Sequence, residues 1–207
     1  MSILVFDFET TSLYFPNYPH NHPRQGRIIQ LAAALYDEKF KEVASFCNLI
    51  SIPHESVEMS PYAFETHGIS FEFAAKYGIP IEAALMNLGL LINMSEVQVA
   101  HNIKFEMNIL ATEEQFFEGL LPKIYLPNRV CTMWGMTPIM KLTQANSNKP
   151  KWPKLTEAYE YCYKEPPAKS HDAFWDVRTT MHVYKWIVEN NHITKALEVV
   201  EPEITSQ

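Results

Sequence analysis

The N-terminal run Ile3-Leu4-Val5-Phe6-Asp7-Phe8-Glu9 decides the fold. Its apolar and aromatic residues are typical of a buried strand, and successive side chains of a strand point to opposite faces. Asp7 and Glu9 therefore share one face near the end of this strand. Because a carboxylate in apolar surroundings costs free energy unless it is paired or bound to a metal, the two side chains indicate a metal site.

A second carboxylate segment follows in the middle of the chain. Asn102 is a good candidate N-cap for a helix that runs to about residue 119. Glu106 lies about four residues into this helix, on the same stripe as Ile103 and Leu110. This stripe should face the sheet, where a carboxylate is unusual.

The third segment combines a histidine with another carboxylate. His171 and Asp176 are five residues apart, and on one helix they would be separated by about 500°, so they would not share a face. Both can reach one site if His171 lies on the loop before the helix. Asp172 is the predicted N-cap in that arrangement, which places Asp176 near the end of the first turn.

The remaining pattern predicts an α/β fold, a mixed five-stranded sheet flanked by helices. Further strands are expected at 27–36, 40–50, 96–100 and 130–131, and the first two form an antiparallel meander with the N-terminal strand. Helices are expected at 61–67, ended by Gly68, and at 80–93, 132–141, 154–163 and 172–190. We expect a single domain at 1–195 and a polar C-terminal tail at 196–207.

Composition excludes several classes of protein. The chain has 207 residues, is 47% hydrophobic and carries three widely spaced cysteines without a CxxC pair, so neither a zinc knuckle nor a disulfide framework is expected. The first residues show no signal peptide, and no apolar run approaches the length of a membrane helix. We therefore expect a cytoplasmic protein without a membrane partner.

Basic residues concentrate in two places despite a net charge of −7. Residues 127–154 contain five Lys and Arg and no Asp or Glu, and residues 14–30 also lack acids. Next to a metal site these segments offer candidate phosphate contacts; the alternative is two solvated basic loops. The candidates are Arg24, Arg27, Lys149 and Lys151. Aromatic residues at 14–22 could stack bases or could simply pack on the domain.

The acidic set suits phosphodiester hydrolysis. Two divalent ions can supply a nucleophilic water and stabilise the leaving oxygen, and hard ions such as Mg²⁺ prefer carboxylate ligands. Asp7, Glu9, Glu106 and Asp176 provide four carboxylates for two Mg²⁺ or Mn²⁺ ions. His171 is the candidate general base, because its imidazole titrates near neutral pH.

The motifs resemble the DEDDh (DnaQ-like) branch of the 3′→5′ exonucleases. The resemblance rests on Asp7-Phe8-Glu9-Thr10, on His101-Asn102-Ile103-Lys104-Phe105 and on His171 with Asp176, and it extends over nearly the whole chain. It implies a ribonuclease H-like fold, two Mg²⁺ or Mn²⁺ ions, and release of 5′-mononucleotides from a single-stranded DNA 3′ end, or from RNA. By the same resemblance, the substrate-binding residues would be Thr10, Thr11, Ser12, Leu13, His67, Asn102 and Phe105.

Glu106 departs from the family pattern, which has Asp at this position. Glutamate keeps the charge and adds one methylene, so ligation of a metal remains feasible with altered geometry. Two alternatives follow: an RNA-trimming enzyme similar to RNase T or oligoribonuclease, and a weakly active or inactive module that binds nucleic acid or a polymerase. The sequence specifies neither a polymerase partner nor an oligomeric state.

Overall fold

A mixed sheet forms the centre of the protein. The computed structural model describes residues 1–52, 57–117, 128–144 and 149–192. In these ranges the strands are β1 (Ile3–Thr10), β2 (Ile28–Tyr36), β3 (Glu42–Leu49), β4 (Val97–Ala100) and β5 (Arg129–Cys131), in the order β3-β2-β1-β4-β5. The pairs β1–β2 and β2–β3 are antiparallel, whereas β1–β4 and β4–β5 are parallel. The predicted mixed five-stranded sheet and its N-terminal meander are confirmed.

Helices cover both faces of the sheet. They are α1 (Pro61–His67), α2 (Phe71–Tyr77), α3 (Ile81–Met94), α4 (Ile103–Phe116), α5 (Thr132–Met140), α6 (Leu155–Tyr163) and α7 (Ala173–Glu189). One core contains Leu4, Phe6 and Phe8 with residues of α3 and α4. The other core contains Ile3 and Val5 with residues of α5, α6 and α7.

The alternation along β1 places its two carboxylates. Ile3 and Val5 pack on the α7 side, so Asp7 and Glu9 continue that face toward the end of the strand. Strand β4 pairs with β1 only from Ile3 to Val5. The second half of β1 therefore extends beyond β4. Helix α4 lies beside this part of β1, where the backbone N–H of Phe8 is hydrogen-bonded to Glu106.

Most helix boundaries agree with prediction, but one helix cap has an unexpected geometry and one helix was missed. Gly68 ends α1 with φ 70°, as its conformational freedom predicts. Asn102 occupies the N-cap position of α4, yet its backbone is left-handed (φ 71°, ψ 52°) and its side chain makes no capping hydrogen bond. Helix α2 was not predicted; the Ser70 hydroxyl caps it by accepting from the Phe73 N–H at 3.1 Å.

The helix expected to run to about residue 119 ends earlier, at Phe116. The polar tail expected at 196–207 lies outside the described residues. Within the described ranges, the structure contains no helix both long and apolar enough to cross a membrane.

Candidate metal centre and active site

Three carboxylates converge where β1 ends beside the start of α7. Asp7 and Glu9 come from the same face of β1, and Asp176 comes from the first turn of α7. One ligand oxygen from each residue lies within 4.8 Å of the other two. Glu9 and Asp176 are each only 9% exposed. Oxygen ligands at this spacing are what a hard divalent cation requires.

Ionising all three carboxyl groups in this site without a bound cation is strongly unfavourable. Burial, followed by the charge of the neighbouring carboxylates, raises the pKa of Glu9 to about 8. Burial also raises the pKa of Asp176 to about 6, against hydrogen bonds from backbone N–H groups that lower it. The pKa of Asp7 is raised well above its ordinary value by burial and then by Glu106. In the described part of the chain, no Lys or Arg forms an ion pair with these carboxylates.

Glu106 lies against the open edge of β1, next to this cluster. It is 3% exposed, and the backbone N–H of Phe8, which has no β4 partner at this level, donates to its carboxylate. Its Oε2 atom is buried without a hydrogen-bond partner. Burial and the charge of Glu9 raise its pKa well above the ordinary value. Glu106 is not one of the three residues whose oxygens lie within 4.8 Å of each other.

The loop before α7 positions His171 as the sequence predicts. Asp172 is the N-cap, and its carboxylate accepts from the Phe174 N–H at 3.1 Å. His171 lies just outside the helix with φ 59°, and its side chain is exposed. Its backbone N–H donates to Oδ2 of Asp176 at 3.0 Å. The left-handed backbone thus turns the His171 N–H toward the cluster and fixes one oxygen of Asp176.

A cleft of about 290 Å³ opens beside Glu9. The predicted substrate-binding residues Thr10, Ser12, Leu13, His67 and Phe105 line it, together with residues of α1. Leu13 is 58% exposed at this cleft. The volume is near the lower end of the range for small-molecule sites, about 300 Å³, which is the scale of a single nucleotide.

His67 joins the cleft to the strand that carries the carboxylates. Its Nδ1 atom accepts from the Ile69 N–H at 3.0 Å, so the ring proton lies on Nε2, which is 3.3 Å from the carbonyl oxygen of Thr10. Burial lowers the pKa of His67, and so does the nearby His171. A neutral His67 therefore holds the backbone of Thr10 at the edge of the cleft.

A comparison with protein families identifies this arrangement. The family model described as Exonuclease, of the RNase T type, matches residues 4–184. The chain belongs to the RNase T exonuclease family. The predicted resemblance to DEDDh exonucleases with a ribonuclease H-like fold is thereby confirmed.

Solved structures with the same fold include bacterial nucleases. Escherichia coli Exonuclease I in complex with a dT13 oligonucleotide is 18% identical, with a TM-score of 0.70, over 90% of this chain and 40% of that chain. The zinc-bound E. coli Exonuclease I–single-stranded DNA complex is also 18% identical, with a TM-score of 0.71, over 93% and 42%. Exonuclease I from Methylocaldum szegediense is 18% identical, with a TM-score of 0.64, over 91% and 40%.

The match to those structures covers only part of their length. The chain spans about two fifths of the length of the Exonuclease I proteins that it matches. A search of curated proteins found no match.

Two residues predicted to bind substrate do not line the cleft. Thr11 is fully buried, and its backbone and hydroxyl pair with the backbone of Arg27. Asn102 lies at the start of α4 and likewise does not contribute to the cleft wall. Thr11 therefore ties the loop after β1 to the start of β2.

The predicted phosphate contacts have different environments in this exonuclease domain. Arg27 is 13% exposed at its side chain and forms a two-pronged ion pair with Glu113, at 3.0 and 2.7 Å. Its guanidinium also lies 4.1 Å from the ring centroid of Phe116. These contacts tie the guanidinium of Arg27 to α4. Arg24 is exposed, and its guanidinium lies 3.5 Å from the Tyr18 hydroxyl.

The basic segment before α6 is attached to the end of β4 through His101. Lys151 forms an ion pair with Glu157, and Lys149 is exposed. Burial lowers the pKa of His101 to about 4, and the ring lies between the Thr132 hydroxyl at 2.9 Å and the Pro153 carbonyl at 3.0 Å. This neutral histidine fastens the segment to the end of β4, the sheet edge at which the carboxylates meet.

Sequence reasoning missed several residues that build the site. Gln30 lies opposite Glu9 on β2, and its Oε1 accepts from the Ala173 N–H at 3.1 Å, which anchors the start of α7. A polar residue inside the apolar run Ile28–Tyr36 was the available signal. Glu113 gave no such signal, because its partner Arg27 is 86 positions away in the chain.

Proposed function

We propose that this chain is a divalent-metal-dependent 3′→5′ exonuclease that hydrolyses single-stranded DNA to 5′-mononucleotides. The observation that carries the proposal is the triad of carboxylates Asp7, Glu9 and Asp176 beside a cleft of nucleotide size. Membership of the exonuclease family supports the reaction class.

The residues fit a divalent cation. The carboxylates of Glu9 and Asp176 and the half-buried carboxylate of Asp7 share a small volume without a described Lys or Arg partner. Among the described residues, the nearby Oε2 of Glu106 has no hydrogen-bond partner. Such a set is unstable as anions and becomes favourable when positive charge is bound. Asp7, Glu9 and Asp176 would hold two Mg²⁺ or Mn²⁺ ions, with Glu106 as the fourth carboxylate. When bound, these ions supply a nucleophilic water and stabilise the leaving oxygen.

His171 is the proposed general base. It lies outside α7, exposed to solvent, and its main chain is hydrogen-bonded to Asp176. An imidazole there can accept a proton from the attacking water and release it to solvent. The backbone N–H of His171 also orients the Asp176 carboxylate. The proposed base and one proposed metal ligand are therefore held in place by the same segment of backbone.

Support for a DNA strand comes from the neighbours in fold. Exonuclease I of E. coli has been solved with dT13 and with dA16 oligonucleotides. The cleft beside Glu9 would take the 3′-terminal nucleotide, with Leu13 against its base and the backbone around Thr10 near its sugar. The sugar of RNA differs from that of DNA by the 2′-hydroxyl, and discrimination at the sugar would require a group that contacts it.

One observation favours a second candidate function, a weakly active or inactive nucleic-acid-binding module. The Glu106 carboxylate accepts a hydrogen bond from the backbone N–H of Phe8. It is not part of the cluster formed by Asp7, Glu9 and Asp176. If the longer side chain prevents proper ligation, the domain would bind a strand without cleaving it. Hydrolysis decides between the two candidates.

The test uses matched dT and rU oligonucleotides labelled at either the 5′ or the 3′ end. Purified protein is incubated with Mg²⁺, with Mn²⁺ or with EDTA, and the products are separated by length. We expect the 3′ label to be released as mononucleotide, the 5′-labelled strand to shorten stepwise, and EDTA to abolish both. Binding without cleavage under all metal conditions would establish the second candidate, and preferred cleavage of rU would correct the substrate.

A further inference from the structure

Residues 13–26 form a loop between β1 and β2, and the aromatic residues of this loop have two kinds of environment. Four of them stack among themselves: Tyr14 on His20 with ring centroids 5.3 Å apart, and Tyr18 on His22 at 4.1 Å. His20 also lies 3.3 Å from the hydroxyl of Thr112. Tyr14 and His20 therefore pack the loop on the domain, whereas Tyr18 and His22 pair within the loop.

Phe15 differs from the other aromatic residues of the loop. Its ring lines the cleft beside Glu9, and the side chain is 37% exposed. The rings of Tyr18 and Phe15 form a T-shaped pair, with centroids 6.1 Å apart. A partly exposed aromatic ring at the wall of a nucleotide-sized cleft can stack on a base.

A buried side chain holds the main chain of Phe15 in place. Gln25 is 1% exposed, and its Oε1 accepts from the Phe15 N–H at 2.9 Å. Its Nε2 donates to the Phe15 carbonyl at 3.0 Å and also reaches the carbonyl oxygens of Tyr18 and Pro19, at 3.1 and 3.3 Å. The Gln25 amide thus satisfies both backbone groups of Phe15, as a neighbouring strand would, and links them to the backbone of Tyr18 and Pro19.

The return of the loop to β2 is equally constrained. A Cβ atom on Gly26 would lie 2.1 Å from the carbonyl oxygen of Ser12, so only glycine allows the two ends of the loop to approach this closely. The Ser12 hydroxyl bonds the Arg24 carbonyl at 3.2 Å across the same gap. Phe15 is therefore presented by a rigid loop, which reduces the ordering cost of stacking.

We propose that Phe15 stacks on the base of the 3′-terminal nucleotide and that Gln25 is the residue that positions it. This rests on the proposed function, since the cleft is taken to hold the 3′ end. Stacking recognises any base, so Phe15 would strengthen binding without selecting a sequence.

The experiment separates the base from the rest of the strand. Two fluorescent dT oligonucleotides are compared by anisotropy in Ca²⁺, one with a normal 3′ end and one whose terminal nucleotide lacks its base. Removing one base–aromatic stack should cost about tenfold in affinity. We expect wild-type protein to bind the normal end about tenfold more tightly than the abasic end, and Phe15→Ala to lose most of this preference while Leu13 still contacts the base.

Further variants test positioning and specificity. Phe15→Tyr should retain the preference for the normal end, whereas Gln25→Ala should lose most of it, and Gln25→Ala should add no further loss to Phe15→Ala. Tyr77→Ala is the matched control, an aromatic residue 58% exposed on α2 that does not line the cleft; it should bind like wild type. Circular dichroism melts establish that each variant is folded.

Two results would overturn the assignment. One is an unchanged preference in Phe15→Ala; the other is an equal loss of affinity for both ends, which would reflect general damage. Because this readout is binding, it remains informative if no hydrolysis is found. Failure of the proposed function would instead appear as absent cleavage by wild type.

Discussion

Raising the pH should destabilise the metal-free protein through Glu9. The folded state raises the pKa of Glu9 from 4.5 to about 8, so the folded protein binds this proton more tightly than the unfolded chain does. The contribution of Glu9 to stability is therefore complete below about pH 4.5 and is lost as pH rises toward 8. One proton changes the free energy of unfolding by about 1.4 kcal/mol per pH unit, so between pH 5 and pH 7 the loss is about 3 kcal/mol.

The assay is thermal unfolding followed by circular dichroism in EDTA at pH 5, 6, 7 and 8. For a chain of this size a loss of about 3 kcal/mol lowers Tm by about 6–12 °C. Glu9→Gln cannot ionise, so its Tm should fall less over the same range. Saturating Mg²⁺ or Mn²⁺ should remove much of the decline in wild type, because the bound cations favour the ionised carboxylates. A wild-type Tm that stays constant in EDTA, or an equal decline in Glu9→Gln, would show that ionisation of Glu9 does not destabilise the folded protein.

Three other substitutions test separate parts of the site. Glu106→Asp shortens a carboxylate proposed to ligate metal, so the ratio of Mg²⁺- to Mn²⁺-supported rates should change; an unchanged ratio counts against ligation. His171→Ala should lower kcat at least about 100-fold with little change in KM. The control is His182→Ala, since His182 is exposed at the middle of α7. Comparable rates in the two variants would exclude His171 as the base. Arg27→Ala leaves the buried Glu113 unpaired and should lower the free energy of unfolding by about 3–5 kcal/mol in urea titrations, without the loss of oligonucleotide affinity that a phosphate contact would show.

Local patterns predicted the parts of the site that depend on one element at a time. Alternation along β1 placed Asp7 and Glu9 on one face, because a strand has only two faces. The five-residue spacing placed His171 outside α7, because a helix could not present both side chains to one site. Parallel pairing of β1 and β4 then brings α4 to the same sheet edge, which is why Glu106 lies next to the triad.

Features set by distant contacts could not be predicted in this way. Arg27 looked like a free cation because Glu113 is 86 positions away, and only the packing of α4 on β2 joins them. The left-handed backbone of Asn102 was missed, since its side chain suits an ordinary cap equally well. Phe15 could not be distinguished from Tyr14 and Tyr18 by composition; the buried Gln25 distinguishes it in three dimensions.

We propose that Asp7, Glu9 and Asp176 hold the catalytic divalent ions. Anomalous diffraction from crystals soaked in Mn²⁺ tests it most directly, because the signal locates the metal independently of any activity. We predict manganese bound directly to oxygens of these three residues, and no peak there in crystals of Asp7→Asn. A wild-type crystal with manganese elsewhere and none among these carboxylates would contradict the account.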